Sequence, residues 1–531
     1  MARNSKIIIA KNIRIDKEYK EVLDYTEQQM LSLVESNQVA SALDYSFIRD
    51  KGTISTNFTY NQALQCNYMA FQNKDYSNKW FFAWIDDVKY VNDGVTEISY
   101  TIDSWSSWFD KVNVSSSFVI REHVNDDTVG KHTLPENLET GEYVINSIGQ
   151  FDNEDLTLSN TDICMGVSWT PDNVSSNNRQ YGGVYSGLTY FIFTDAESCS
   201  KMCKAYDDLA KADAIYSIFL IPRAFESALN LEFNTYTLGN QSGIVLAIPP
   251  STNYSSTLIS NFQITSPSSL NGYTPKNNKL KCYPYNYLYI TNNTGIDVVY
   301  NYEDFVNNTA VFNIDGVLTT GGSLRLFPAN YKKYSTQQNY PKSQSCYGMS
   351  ASKYPTCSWN TDPYTNWLTQ NAVNIGLDVV GTGLSLAGSV MSGSLSGVAS
   401  STLSIANSVA QMYQHSLIPE QAKGNVNAGD VIQGMRMNTF TYFKMSIREE
   451  YARVCDEYFT RYGYKINENK VPNITGRRYW NFIQIADTES LGYGEIPQRF
   501  MDEINRIARN GVTIWHSHSN IGNYSLNNTI V

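Results

Sequence analysis

The chain has 531 residues, 42% of them hydrophobic, so it can bury more than one core, and we expect two or three domains. Only 17% of the residues are charged, and 38 tyrosines contribute polarity, which favours broad neutral contacts over a small charged pocket. The net charge of −11, without a long run of Lys or Arg, argues against avid DNA binding. An acidic wall could repel DNA inside a conduit, although solubility alone would also explain this charge.

The eight cysteines do not form a disulfide scaffold in a chain of this length. The close pairs are Cys199 with Cys203 and Cys346 with Cys357, and neither is accompanied by a second pair or a His cluster at zinc-binding spacing. We therefore expect reduced thiols in a cytoplasm. The apolar run from Ile7 to Ile9 is too short for a signal-peptide core, so we expect no export signal.

The opening region predicts an antiparallel sheet with a short helix near Tyr25 to Val34. An aromatic and β-branched strand runs from Phe81 to Tyr90, and Val95 to Ile102 alternates in character. The turn signal Asn92-Asp93-Gly94 between them predicts a hairpin, and Ser117 to His123 continues as another strand.

Between about residues 148 and 276 the pattern weakens into short strands, with one predicted helix from Ala196 to Lys211. Further strands are predicted at Lys281 to Thr291, Asp297 to Tyr302, Val311 to Asp315 and Ser323 to Phe327.

The last hundred residues predict an α+β arrangement. The predicted strands are Phe440 to Ile447, Tyr479 to Ile485 and Val512 to His516. The predicted helices are Arg448 to Tyr462, which Gly463 ends, and Glu495 to Arg509, which Asn510-Gly511 ends. The chain as a whole is predicted to be mainly β with α+β parts.

Residues 371–418 differ from the rest because Asp378 is their only charged side chain. Larger apolar residues recur there mostly in steps of three and four, which predicts a helical stripe. The stripe residues are Val373, Leu377, Val380, Leu384, Met391, Leu395, Val398, Ile405, Val409 and Met412. Small residues that could allow close packing are Gly381, Gly383, Gly388, Gly393 and Gly397.

This glycine-rich stretch should be a poor helix in water, because each glycine costs about 0.5 to 1 kcal/mol relative to alanine. Two helices of about 20 residues would each be roughly 30 Å long and could cross a bilayer core. The hypothesis is an apolar hairpin that is sheltered first and released into a membrane later. A helical hairpin in an ordinary core and a flexible linker are the alternatives, and the scarcity of charge argues against a solvated linker.

No catalytic, metal or cofactor constellation is recognisable. His516 and His518 would share one strand face, but no third ligand accompanies them, so we interpret them, with His123, His132 and His415, as structural or surface residues. The motifs HExxH, GxSxG and the P-loop do not occur. The sequence does not identify a glycosidase pair among the carboxylates that lie near aromatic residues, which are Asp86, Asp87, Asp103 and Glu122. We expect a protein that is not an enzyme and has no cofactor.

Several stretches resemble the tail-knob or distal tail-tube proteins of small short-tailed phages that infect Gram-positive bacteria. The resemblance covers roughly residues 1–150, 277–330 and 430–531, in the same order along the chain. The stretches are Phe71-Gln72-Asn73 through Asp75-Tyr76 to Asn78-Lys79-Trp80-Phe81, Phe118 to Val124, Tyr283-Pro284-Tyr285, Tyr462 to Asn467, Asn510 to Thr513 with Trp515-His516, and Ile521 to Ser525.

The resemblance implies a homohexameric tube at the tail tip of the virion, built from β-barrel-like domains and assembled in the host bacterial cytoplasm. Double-stranded DNA would pass through its lumen without specific binding, and other tail proteins would contact it on the collar or lower tail-tube side. In this family a hydrophobic loop plugs the lumen and later penetrates the host cytoplasmic membrane. Residues 371–418 stand in the corresponding place.

We accordingly expect five segments. They are a tube part at 1–147, an inserted outer knob domain at 148–276, a β-rich return at 277–362, a membrane-active loop at 363–429, and a second tube part at 430–531. The leading hypothesis is a structural tail protein that conducts DNA during ejection. The alternative is a receptor-binding tail protein that recognises cell-wall glycan through its Tyr- and Asn-rich middle.

Overall fold

The computed structural model describes residues 5–332 with short gaps, 348–358 without 354–355, 440–486 and 496–531. The gaps within the first range are residues 44, 49–51, 75–76, 152–160, 175–179, 182–183, 186, 251–256, 293–295, 317 and 319–322.

Contacts between residues divide the chain into two compact units. Unit 1 combines Met1–Glu139, Pro275–Leu280 and Glu450–Val531, and unit 2 combines Thr140–Thr274 and Lys281–Glu449. Each unit is therefore assembled from segments that are distant in sequence. The predicted assignment of segments to a tube, an outer knob and a loop stays a prediction.

The described strands are numbered in chain order. Those before residue 140 are β1 (Ile7–Ala10), β2 (Glu21–Leu23), β3 (Gln38–Ala42), β4 (Ser46–Ile48), β5 (Thr53–Thr56), β6 (Tyr68–Asn73), β7 (Lys79–Asn92), β8 (Val95–Ile102) and β9 (Ser117–Glu122). Those of the middle are β10 (Tyr143–Gln150), β11 (Thr161–Val167), β12 (Gln180–Tyr181), β13 (Val184–Tyr185), β14 (Thr189–Phe193), β15 (Ile215–Pro222), β16 (Phe233–Leu238), β17 (Gln241–Ala247) and β18 (Thr257–Thr265). The remaining strands are β19 (Asn286–Thr291), β20 (Asp297–Tyr300), β21 (Thr309–Gly316), β22 (Ser323–Pro328), β23 (Met349–Lys353), β24 (Thr356–Ser358), β25 (Thr441–Ile447), β26 (Tyr464–Lys470), β27 (Trp480–Ile485) and β28 (Val512–Trp515).

Helices are fewer than strands in the described part of the chain. They are α1 (Glu27–Ser36), α2 (Tyr60–Leu64), α3 (Ser104–Trp108), α4 (Ala196–Asp208), α5 (Ala224–Ala228), α6 (Glu449–Tyr462) and α7 (Gln498–Asn510). The fold is thus mostly β with some helices, as the sequence predicts.

Unit 1 contains a seven-stranded and a five-stranded sheet. The seven-stranded sheet has the order β3-β1-β6-β7-β8-β5-β4, and its β7–β8 hairpin turns between Asn92 and Val95, which confirms the predicted hairpin. The five-stranded sheet has the order β2-β28-β27-β9-β26. Its β2 and β28 pair in parallel although they come from opposite ends of the chain. The indole rings of Trp105, Trp480 and Trp515 are fully buried in this unit.

Glycine ends both long helices of unit 1, as the sequence predicts. Gly463 follows α6 with φ +65° and Gly511 follows α7 with φ +88°, a backbone region that favours glycine. A Cβ atom at Gly463 would lie 2.1 Å from the carbonyl oxygen of Glu122, so the chain also passes too close to β9 for any side chain.

Unit 2 contains two four-stranded sheets, a six-stranded sheet and a two-stranded ribbon. Their orders are β10-β25-β19-β20, β18-β21-β22-β23, β16-β17-β14-β11-β15-β24 and β12-β13. One apolar core includes Phe151, Leu288 and Phe312, and a second core forms where Met202 and Tyr206 of α4 are buried. The sequence predicted α4 three residues too long.

The predicted strands differ from the observed strands at their ends, and most of all at the start of β19. The strand predicted from Lys281 begins at Asn286, because residues Asn278–Lys281 form a 3₁₀ turn and Pro284 lacks the N–H that a ladder requires. The strand predicted to end at His516 ends at Trp515. Cys66, Cys164, Cys199, Cys203 and Cys455 are buried thiols that form no disulfide bond.

Candidate functional site

The residues predicted for the membrane-active loop lie outside the described residues. This applies to Val373, Leu377, Val380, Leu384, Met391, Leu395, Val398, Ile405, Val409 and Met412, and to Gly381, Gly383, Gly388, Gly393 and Gly397. The described residues stop at Ser358 and begin again at Phe440, one residue before β25. Within the ranges that are described, no helix combines the length and the apolar character needed to cross a bilayer.

The described histidines are engaged in separate local hydrogen bonds. His518 Nε2 accepts from the Arg14 N–H at 3.0 Å, whereas His516 Nδ1 lies 2.6 Å from Asp24 Oδ2. His132 Nε2 lies 3.1 Å from the Asp126 carbonyl oxygen. In the part of the chain that the structure describes, no three His, Cys, Asp or Glu side chains are grouped for a metal ion. His415 lies outside that part.

His123 is buried and is held in one tautomer by two backbone groups. Its Nδ1 accepts the N–H of Phe482 at 2.8 Å, so Nε2 carries the proton and donates to the Thr460 carbonyl at 3.0 Å. Burial, with a further contribution from the positive charge of Arg477, lowers the pKa of His123 to about 3. The neutral ring therefore joins β9 to β27 and α6.

Asp86, Asp103 and Glu122, three of the four carboxylates near aromatic residues, have structural partners. Asp103 caps α3 by accepting the Ser106 N–H at 3.0 Å, and it accepts the Tyr68 hydroxyl at 2.7 Å. Burial raises the pKa of Asp103 above its ordinary value. Asp86 accepts the Thr101 hydroxyl at 2.6 Å and pairs with Lys17.

A buried ionic network connects three sequence segments of unit 1. The Glu136 carboxylate, whose side chain is 2% exposed, accepts Lys279 Nζ at 2.6 Å and the Lys465 N–H at 2.9 Å. It also pairs with Arg121, which donates to the Gly463 carbonyl at 2.8 Å. The network therefore brings together two of the stretches on which the family resemblance rests.

Glu122 has a second set of partners beside this network. Its fully buried carboxylate pairs with Lys470 and accepts the Asn473 N–H at 2.7 Å. Since β9 pairs with β26 from Tyr464 to Lys470, both acidic groups hold the same two strands together. These buried charges are better explained by the stability of unit 1 than by chemistry.

A polar cleft of about 360 Å³ lies within unit 1. Its lining residues come from the end of β2, the first turn of α1, the loop before β27 and the residue after β28. They are Asp24, Tyr25, Gln29, Thr475, Arg477, Arg478 and His516. The cleft was not predicted from the sequence, because residues that line it are up to 492 positions apart along the chain, as His516 and Asp24 are.

The sheet formed by β10, β25, β19 and β20 has two very different faces. One face packs into the core of unit 2 through Leu288, Ile290 and Tyr300. Ile148 of β10 and Tyr289 of β19 each pair with Phe443 of β25. Because the side chains of paired residues lie on the same face of a sheet, these three side chains share the other face. Ile148 is 62% exposed and Ile145 is 49% exposed.

Aromatic and aliphatic side chains continue across this second face, which we call the open face. Its members are Tyr143, Ile145, Ile148, Tyr287, Tyr289, Val299, Phe443 and Met445. Tyr143 and Tyr287 meet edge to face with ring centroids 5.2 Å apart. A bulge between Ile145 and Ser147 keeps Ile145 and Ile148 on the same side, which breaks the simple alternation that would have revealed the face in the sequence.

Comparisons with known proteins match most of the chain. Residues 251–529 match the family model of the C-terminal domain of tail knob protein gp9 from Bacillus phage phi29, and residues 3–113 match the model of the caudoviral major tail protein N-terminus. Tail knob protein gp9 of Bacillus phage phi29 is 26% identical over 91% of both chains. That of Bacillus phage B103 is 23% identical over 87% of both chains.

A solved structure shares the fold. The tail knob protein gp12 of bacteriophage C1 aligns with a TM-score of 0.67, covering 99% of this chain and 100% of that chain, at 14% sequence identity. The gp9 domain model alone spans more than half of the 531 residues. The chain therefore belongs to the family of phage tail knob proteins represented by gp9 of Bacillus phage phi29.

Proposed function

We propose that this tail knob protein assembles as a ring of six copies at the tip of a short tail and conducts DNA during ejection. Family membership, which covers more than half of the chain, is the observation that carries this proposal. The net charge of −11 suits a conduit, because an acidic wall repels the passing phosphate backbone. Other tail proteins would contact the ring on its collar side.

The open face supports assembly with further copies. A contiguous apolar patch on a soluble protein usually marks an interaction surface, and aromatic residues are enriched in the centres of such surfaces. Ile145, Ile148 and Val299 would remain in water in a lone subunit, whereas contact with another chain would bury them.

Residues 371–418 would act in the same ejection step. We propose that this nearly uncharged stretch is sheltered in the lumen and then enters the host cytoplasmic membrane. The proposal is supported by the sequence of this stretch, in which Asp378 is the only charged side chain among 48 residues. A bilayer is a better solvent than water for the apolar stripe once the lumen opens.

Negative-stain imaging of the purified chain tests the ring. We expect closed particles with six-fold symmetry and an open centre. A trimer without a lumen would instead support the receptor-binding alternative.

Dye release from liposomes tests the proposed membrane role. The intact chain should release dye after the particle is destabilised, whereas a variant in which residues 371–418 are replaced by a Gly/Ser linker of equal length should not. Equal release by both proteins would remove the membrane role and leave the conduit role standing.

Recognition of cell-wall glycan is the second candidate function. Tyr143, Tyr283 and Tyr287 carry exposed or half-exposed rings that lie close together, and such rings can stack on sugars. The aliphatic members of the open face favour a protein partner instead. Binding of the chain to purified cell wall, lost on Tyr287→Ala but not on Ile148→Ser, would favour the glycan.

A further inference from the structure

We propose that the polar cleft of unit 1 binds a phosphate group through Arg477 and Arg478. This function is separate from assembly and from membrane entry. It rests on two guanidinium groups that form no ion pair with a carboxylate among the described residues, on a carboxylate that already contacts His516, and on an open polar cleft of about 360 Å³.

Arg477 is positioned by neutral groups only. Its Nη2 donates to the Val124 carbonyl at 3.0 Å and its Nη1 to the Asn528 carbonyl at 3.4 Å, while its buried Nε has no hydrogen-bond partner. A guanidinium has five N–H donors, so one N–H on Nη1 and one on Nη2 remain for a ligand besides the buried Nε–H. Among the described residues no carboxylate forms an ion pair with Arg477, although Asp127 is near enough to act on it electrostatically.

Arg478 adds a second positive charge from the next position in the chain. Its backbone N–H donates to the Thr529 carbonyl at 3.1 Å, which fixes this stretch against the C-terminal segment. Its side chain is exposed, lies 5.3 Å from the Tyr479 ring, and forms no ion pair with any carboxylate in the described ranges. Paired guanidiniums bind the oxygens of a phosphate through several charge-assisted hydrogen bonds.

Asp24, the carboxylate that lines the cleft, is engaged by His516. Two hydrogen bonds fix the orientation of the Asn481 side-chain amide. Its Nδ2 donates to the Asn473 carbonyl at 3.0 Å, and its Oδ1 accepts the backbone N–H of Arg477 at 3.1 Å. His516 Nε2 lies 3.1 Å from this Oδ1, and Nδ1 faces Asp24. Asp24 therefore already has a hydrogen-bonding partner within the cleft.

The excess of positive charge in the cleft favours a doubly charged anion as the ligand. Two guanidiniums against the single carboxylate of Asp24 leave an excess of positive charge in the cleft, although the net charge of the chain is −11. That excess suits a phosphate dianion better than a carboxylate, which carries a single charge. Tyr25 and Thr475 add hydroxyl groups to the lining, which can donate to further phosphate oxygens.

Calorimetric titration of the full-length chain with inorganic phosphate tests this assignment. We expect saturable binding that Arg478→Gln weakens at least about tenfold, because charge-assisted hydrogen bonds are lost. The matched control is Arg509→Gln, which removes an exposed arginine of the same unit and should leave the affinity unchanged. Both variants should melt at the wild-type temperature, since both side chains are exposed.

Three results would overturn the proposal. The wild-type chain could show no saturable binding at millimolar phosphate, or Arg478→Gln could bind as tightly as wild type. Acetate could also bind as tightly as phosphate, which would show that the cleft does not distinguish a dianion from a carboxylate. Ring formation is measured independently, so failure here leaves the conduit proposal intact.

Discussion

Two sheets of this protein place their side chains in opposite ways. The five-stranded sheet of unit 1 buries charged groups and pairs them within the chain, as Arg121 and Glu122 of β9 do with Glu136 and Lys470. The β10-β25-β19-β20 sheet of unit 2 exposes Ile145 and Ile148 to water. The first sheet therefore completes its interactions within one subunit, whereas the second offers a surface that a partner would complete.

The largest expected effect concerns the close approach of Gly463 to β9. Gly463→Ala should destabilise unit 1 by about 5 kcal/mol or more, because the new Cβ would lie 2.1 Å from the Glu122 carbonyl oxygen and 2.6 Å from the His123 nitrogen. Gly522→Ala is the control, since Gly522 has φ +80° but its nearest neighbour is 3.8 Å away. It should cost only about 1 to 2 kcal/mol. Urea unfolding measures both, and equal losses would contradict this explanation.

Removal of the Glu136 charge should have the next largest effect. Glu136→Gln would leave Lys279, whose side chain is 3% exposed, without its buried counter-charge, at a cost of about 3 to 5 kcal/mol. Glu142→Gln breaks a pair with Arg448 whose side chains are 82% and 46% exposed, and should cost less than about 1 kcal/mol. If the two variants unfold at the same urea concentration, the buried network stabilises the protein no more than an exposed ion pair does.

The pH dependence of stability should reveal His123. Because burial lowers its pKa to about 3, the folded state holds the neutral ring, whereas the unfolded chain takes up a proton near the ordinary value of 6.5. The contribution of His123 is therefore fully present above pH 6.5 and is lost as pH falls towards 3. His123→Gln should flatten the stability profile of the chain between pH 7 and 4. An unchanged slope would show that other groups cause the acid sensitivity.

The smallest effect on stability is expected at the open face. Ile148→Asp should change the free energy of unfolding of a single subunit by less than about 0.5 kcal/mol, because the side chain is 62% exposed. Leu288→Ala on the opposite face of the same sheet should cost about 2 to 5 kcal/mol, since Leu288 is fully buried. Thermal unfolding measures the stability of both variants. Similar losses of stability would mean that Ile148 is buried in the single subunit in solution.

Local signals made part of this fold predictable from sequence. The β7–β8 hairpin follows from Asn92-Asp93-Gly94, and α6 and α7 end where Gly463 and Gly511 permit a positive φ. The Glu136 network and the cleft were not predictable, because their partners come from distant segments that only the folded chain brings together. The open face was missed because the bulge in β10 breaks its alternation.

Assembly through the open face is tested most directly by mass photometry of the full-length chain at micromolar concentration. We expect particles with six times the mass of one chain for wild type and for Val454→Asp, a control at an exposed apolar residue of unit 1. Ile148→Asp should give folded single chains, because a charge in the centre of the patch opposes burial. A wild-type chain that remains single, or an Ile148→Asp variant that assembles like wild type, would contradict the assignment of this face to subunit contact.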